Sequence, residues 1–210
     1  MDKLNLILIG KSGAGKTTLA NALMGEDALQ AAKPHKAEKT NGTYCKKMLI
    51  RLTQGLERDG IRMVSKQVTL FDAMDLELDA KKTQAALRGL HRLIQKTQAD
   101  TGERDSTILW YCVNYRGNRF ERYEADLVHS LMRKHRIPAF IVITRCLESD
   151  GELEQKIKAD CPGIPVARVM AKECKTRGGV IQEFGVHELL ALSVLHCQEL
   201  AGAVRPKAGR

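Results

Sequence analysis

Residues 5–25 read NLILIGKSGAGKTTLANALMG, and the fold follows from how this stretch divides. Asn5-Leu6-Ile7-Leu8-Ile9 is a short apolar, β-branched run, the pattern of a strand buried on both faces. Thr17 to Met24 is a good helical segment. Between them, Gly10-Lys11-Ser12-Gly13-Ala14-Gly15-Lys16-Thr17 matches G-x-x-x-x-G-K-[ST]. The glycines let backbone N–H groups converge on phosphate oxygens with no Cβ in the way. The helix start adds unpaired N–H groups and the positive end of a dipole. Phosphate binding is therefore expected from Lys11, Ser12, Gly13, Ala14, Gly15, Lys16, Thr17 and Thr18. Lys16 would reach the β- and γ-phosphates as the catalytic cation, and the Thr17 hydroxyl would bind Mg²⁺. Lys16 is expected in an exposed loop, so that its loss removes a phosphate partner and no packing. The competing reading is a Gly-rich turn that matches by chance; the strand before it and the helix after it argue against that.

The chain has 210 residues, 43% hydrophobic and 28% charged, enough for one domain with a proper core. No apolar run approaches the ~20 residues of a membrane span, and no basic region precedes a longer apolar one at the start. The six cysteines (Cys45, Cys112, Cys146, Cys161, Cys174, Cys197) form no C-x-x-C pair, which argues against structural zinc and a disulfide framework. Several lie in apolar runs, where a reduced cysteine packs as a small core residue. A cytoplasmic protein is expected. The net charge of +9 is compatible with an acidic partner such as RNA or a lipid surface. The basic residues are scattered, though, with modest concentrations at Lys33–Lys47 and Arg205–Arg210 and no aromatic interleaving. A diffusely basic surface is the preferred reading, and nucleic acid or an anionic surface is not favoured.

Further along, Glu26 to Cys45 is polar and reads as a long loop. Lys46–Thr53 and Ile61–Phe71 are strand-like and read as a hairpin around Gln54–Gly60. Asp79–Thr97 is helical, with Ala86, Leu87, Leu90, Leu93 and Ile94 on one face. Thr107–Val113 and Pro138–Thr144 read as buried strands, separated by a helix over Glu121–His135. A short helix over Gly151–Ala159, a strand over Ile164–Met170 and a closing helix over Gln182–Leu200 complete the chain. The expected fold is a three-layer α/β P-loop domain, a six-stranded and mostly parallel sheet with one antiparallel strand from the hairpin at its edge. It would occupy residues 1–201, with a loose basic tail over 202–210.

A phosphate loop, a long loop, a hairpin and then a strand ending in aspartate resemble the Ras-like G domain, most closely the bacterial Era-like and dynamin-like small GTPases. Gly10–Gly25 is similar to their first motif with its trailing Leu-x-Asn-x-Leu-x-Gly. Phe184-Gly185-Val186-His187-Glu188-Leu189-Leu190 resembles the opening of their last helix. Trp110-Tyr111-Cys112, leading to Arg119-Phe120-Glu121 and Glu124, resembles their fourth-strand region.

The resemblance implies GTP or GDP as ligand, Mg²⁺ as cofactor and a protein partner read through the switch loops. It also assigns roles, and several motifs depart from the pattern. Thr40 or Thr43 would be the switch threonine that reaches Mg²⁺ and the γ-phosphate, with Thr40 taken as the catalytic candidate. In D-x-x-G, Asp72 would hold Mg²⁺ through water, while Asp75 stands in place of the γ-phosphate-sensing glycine and Leu76 in place of a water-orienting glutamine. In [NT]-K-x-D, Thr144 and Arg145 are acceptable base-binding residues, but Leu147 replaces the carboxylate that accepts the guanine N1 and N2 hydrogens. Glu148 or Asp150 would substitute after a register shift. Ala171 and Lys172 match the last base-binding motif, with the Ala171 N–H on guanine O6. Three functions fit this set: a guanine-nucleotide switch with weak or partner-dependent hydrolysis, a pseudo-GTPase that holds nucleotide without turnover, or an ATP-dependent small-molecule kinase. The kinase is disfavoured because no Arg-rich lid is found between the late helices.

Overall fold

In the computed structural model, the described residues are 3–24, 44–57, 60–72, 80–99, 106–117, 119–147, 151–176 and 178–203. Strand β1 (Lys3–Gly10) is buried from Leu4 onward and leads through the phosphate loop into helix α1 (Lys16–Met24). Strands β2 (Tyr44–Glu57) and β3 (Gly60–Asp72) form an antiparallel hairpin. Helix α2 (Ala80–Ala99) follows, then β4 (Ser106–Asn114), a 3₁₀ turn over Tyr115–Gly117, α3 (Arg122–His135) and β5 (Ala139–Thr144). The chain continues with α4 (Glu152–Asp160), β6 (Val166–Val169), the short strands β7 (Cys174–Thr176) and β8 (Gly179–Ile181), and α5 (Val186–Ala203).

The main sheet has the order β2-β3-β1-β4-β5-β6. Its five strands from β3 to β6 run parallel, and β2 lies antiparallel to β3 at the edge. Strands β7 and β8 form a separate antiparallel pair. This is the α/β P-loop fold. Among the described residues, no helix is long and apolar enough to cross a membrane.

The continuous apolar runs of β1, β4 and β5 follow from helices covering both faces of the sheet. One face presents Ile7, Ile9, Leu109, Tyr111, Ile141 and Ile143 to Leu90 and Ile94 of α2, Val128 and Leu131 of α3, and Ile157 of α4. The other presents Leu6, Leu8, Ile108, Trp110, Phe140 and Val142 to Leu19 and Leu23 of α1 and to Leu189, Leu190 and Val194 of α5. Alternate residues of a strand point to opposite faces, so a single run serves both clusters. The indole N–H of buried Trp110 donates to Ser193 Oγ at 2.9 Å, so the polar atom of the largest core side chain is satisfied.

Four details differ from the sequence expectation. The β2–β3 strands extend into the stretch expected as a turn, with a register shift between Gln54 and Leu56 that absorbs one residue. The β7–β8 pair has no counterpart in the sequence expectation, because three-residue strands over polar residues carry no usable periodicity. Helix α5 starts at Val186 rather than Gln182. Phe184 is instead drawn into a bridge, its N–H and C=O bonding the C=O and N–H of Met170, each at 3.0 Å. At its other end α5 runs to Ala203, so the first residues expected as tail are helical; residues 204–210 lie outside the described residues.

Candidate functional site

The phosphate loop leaves the C-terminal end of β1 at Gly10, beside Cys112 of β4. A Cβ on Gly10 would lie 2.4 Å from the Cys112 carbonyl oxygen, and its φ of +146° is rarely open to L side chains. Gly15 is pressed against β5, where a Cβ would meet Thr144 Oγ1 at 3.0 Å. Two side chains from the strand ends hold the loop from behind. Thr144, 2% exposed, donates its hydroxyl to the Ala14 carbonyl at 2.7 Å and also lies 3.2 Å from the Val113 carbonyl. Asn114, at the end of β4, donates to the Gly13 carbonyl at 3.0 Å.

Lys16 corrects an expectation. It is 4% exposed rather than exposed in a loop, and its ammonium donates to the carbonyls of Gly10 at 3.0 Å and Lys11 at 2.9 Å. It is the first residue of α1 and folds back to close the loop that precedes it. A buried ammonium is stable only when its protons have acceptors, and these carbonyls provide two.

Lys11 points elsewhere. Its Nζ lies 2.9 Å from Glu124 Oε2 and 5.1 Å above the Tyr123 ring. Burial opposes the charge, but hydrogen bonds to Tyr123 and Glu124 and the attraction of Glu124 outweigh it, so the Lys11 pKa is raised. Glu124, 1% exposed, also accepts from Tyr111 Oη at 2.7 Å and from the Glu121 backbone N–H at 2.9 Å. Burial and then the Glu124 charge push the Tyr111 hydroxyl well above its ordinary pKa, so it remains a donor. The Lys11 side chain thus ties the phosphate loop to the first turn of α3.

Beside the loop a cleft opens at the ends of β5 and β6. Gly15 and Thr18 form its side towards the loop; Thr144, Arg145, Ala171 and Lys172, expected to bind the base, form the other. The loop residues and the residues expected to bind the base, separated in sequence by more than a hundred positions, therefore share one continuous space. Thr144 turns its hydroxyl to the loop, while Arg145 is exposed in the left-handed conformation with φ of +53°. Leu147 lines the cleft, so the position expected to carry a carboxylate presents an apolar surface. Arg116, Glu173 and Cys174 also line it, and Arg116 Nη2 lies 3.5 Å from Cys174 Sγ. The sequence alone points to none of these three, nor to Asn114: their places depend on the 3₁₀ turn and the β7–β8 pair.

Mg²⁺ is the metal that the phosphate loop implies. Thr17 is exposed in the first turn of α1, and Asp72 ends β3 opposite Leu8 of the adjacent β1. A hydroxyl and a carboxylate are hard oxygen donors suited to Mg²⁺, which takes its remaining ligands from phosphates and water. Among the described residues, no group of three or more His, Cys, Asp or Glu could hold a metal on its own. Thr40, Thr43, Asp75, Leu76, Glu148 and Asp150 lie outside the described residues.

A protein-family model described as ABC transporter matches residues 3–115, from β1 to the 3₁₀ turn. No curated protein matches the chain as a sequence relative. Among solved structures, the fold is similar to that of a mutation variant of SsGBP, with a TM-score of 0.50 at 13% identity over 95% of this chain and 57% of that one. The cytosolic domain of the T. maritima FeoB iron transporter in a GDP form gives 0.47 at 14% identity, covering 94% of this chain and 64% of that one. Nucleolar GTP-binding protein 1 from Plasmodium falciparum gives 0.47 at 11% identity, covering 97% and 91%. The chain spans less than two thirds of the first two, and the likeness to the SsGBP variant is one of fold.

Proposed function

The chain belongs, through residues 3–115, to the P-loop family described as ABC transporter, and we propose that it binds a nucleoside triphosphate. The motif resemblance and the cleft, not the family match, lead us to propose guanine as the base, in the manner of an Era-like or dynamin-like G domain. The observation that carries this reading is the continuity of the Lys16-closed loop with the cleft lined by Thr144, Arg145, Ala171 and Lys172. The family match ends before all four of these residues, so it supports the phosphate grip and leaves the base to the cleft. In the proposed complex the loop N–H groups and Lys16 hold the β- and γ-phosphates. Arg145 stacks on the base through its planar guanidinium, and the Ala171 N–H meets guanine O6. Thr17 and Asp72 hold Mg²⁺, which supplies neutralisation of the charge on the phosphates. Thr40 is the proposed switch threonine.

Hydrolysis in this proposal is slow or partner-dependent. By the motif resemblance, Asp75 would stand in place of the γ-phosphate-sensing glycine, where its carboxylate would oppose the triphosphate charge, and the apolar Leu76 side chain offers no group to orient water. Asp75→Gly should therefore raise affinity for a non-hydrolysable GTP analogue relative to GDP, with at most a modest gain in single-turnover hydrolysis. Fast hydrolysis by the unmodified protein, slowed by Asp75→Gly, contradicts this and makes Asp75 catalytic. A protein with no turnover under any condition, but with nucleotide-dependent stability, fits the second reading, a pseudo-GTPase module. Residues 1–201 are proposed as one nucleotide-binding domain, working in the cytoplasm with a protein partner at the switch loops.

A further inference from the structure

The cleft sets a chemical problem. Guanine presents N1–H and N2–H₂ donors beside its O6 acceptor, and a site that selects it needs an acceptor opposite those donors. Leu147 provides none. The polar side chains lining the cleft include the cations Arg116, Arg145 and Lys172, which donate rather than accept. Among the described residues lining the cleft, Glu173 is the one carboxylate.

We propose that Glu173 is the base-specificity residue, its carboxylate accepting the N1 and N2 hydrogens of a guanine nucleotide in place of the acid missing at Leu147. This inference rests on the nucleotide reading of the cleft. Glu173 lies two residues beyond Ala171, whose N–H is proposed for O6, so an acceptor stands next to a donor along one chain segment, as O6 and N1 are neighbours on the base edge.

The segment is held at both ends. Met170 is bridged to Phe184 by two backbone hydrogen bonds of 3.0 Å, and Cys174 begins β7, paired with Ile181 of β8. Gln182, just after β8, donates its amide to Glu173 Oε2 at 3.4 Å, which leaves acceptor capacity on both carboxylate oxygens. The β7–β8 pair lies outside both core clusters, and carrying Glu173 to the cleft gives it a role. Adenine presents a lone pair at N1, which a carboxylate repels.

The proposal is tested by the affinity of the full chain for GDP, IDP and ADP in Mg²⁺, before and after Glu173→Ala and Glu173→Gln. IDP is GDP without the 2-amino group. A charge-assisted hydrogen bond corresponds to about a ten- to hundredfold preference. The unmodified protein should prefer GDP over ADP by about that factor and GDP over IDP by a smaller one. Both preferences should collapse towards unity in the Glu173 variants, with ADP affinity unchanged or raised. Glu173 is exposed, so both variants should fold as the parent does. Unchanged GDP/IDP and GDP/ADP ratios in the variants overturn the proposal. So do equal affinities for GDP and ADP in the unmodified protein, which leave the phosphate grip standing and remove guanine as the selected base. If the folded parent binds none of the three nucleotides, both readings are overturned.

Discussion

Lys16 sits buried at the start of α1 with its ammonium on two loop carbonyls, so replacing it removes loop closure as well as a phosphate partner. Lys16→Ala should lower stability by about 1–3 kcal/mol, the cost of leaving buried acceptors without a donor; a urea titration followed by circular dichroism measures it. An unchanged midpoint would mean that those carbonyls find other donors. Gly10 is less forgiving. Any side chain there meets the Cys112 carbonyl at 2.4 Å in a backbone conformation already adverse to it, and Gly10→Ala should cost more than about 3 kcal/mol. That these residues build a phosphate loop is legible from their order alone. Lys16 burial is not, because it depends on the ammonium folding back, and neither is the Lys11–Glu124 pair, which joins residues 113 positions apart.

Helices α2 and α3 meet through an unusual contact. His91 Nδ1 and His135 Nε2 lie 2.6 Å apart, with Lys134 Nζ 3.5 Å from His91 Nε2. One proton between the two nitrogens satisfies both, and a second brings two donors face to face. Burial and then Lys134 lower the pKa of His91; burial, His91 and Lys134 lower that of His135. The unfolded chain therefore takes up protons first as pH falls, so stability contributed by the neutral pair is complete above about pH 6.5 and is lost below it. The melting temperature should fall between pH 7 and pH 5, and His91→Gln should flatten that slope. Equal slopes in both proteins would remove the pair as its source. The long elements are readable from apolar periodicity: α2 buries Ala86, Leu90 and Ile94, three of the five residues expected on its inner face. The β7–β8 pair and the start of α5 are not readable. The Met170–Phe184 bridge that decides them is a long-range backbone contact with no side-chain pattern.

The whole molecule gathers the described functional candidates at one end of a parallel sheet covered on both faces, where the ends of β1, β4, β5 and β6 bring together segments from Gly10 to Cys174. Ligands of open α/β sheets bind outside the carboxyl ends of the strands, so the chain order that builds the core also builds the site. That arrangement follows from the alternation of strands and helices in the sequence. Which groups face the cleft does not, since strand order alone leaves loop conformation open. If this end of the sheet grips a nucleotide through the Lys16-closed loop, calorimetric titration of the full chain with GDP in Mg²⁺, beside Lys16→Ala, should reveal it. Saturable one-to-one binding is expected for the unmodified protein, weakened by about ten- to a hundredfold in a variant whose circular dichroism spectrum is unchanged, since Lys16 would carry a charge-assisted bond to the β-phosphate of GDP. Equal binding by the two proteins, or none by the folded unmodified chain, would contradict the nucleotide grip.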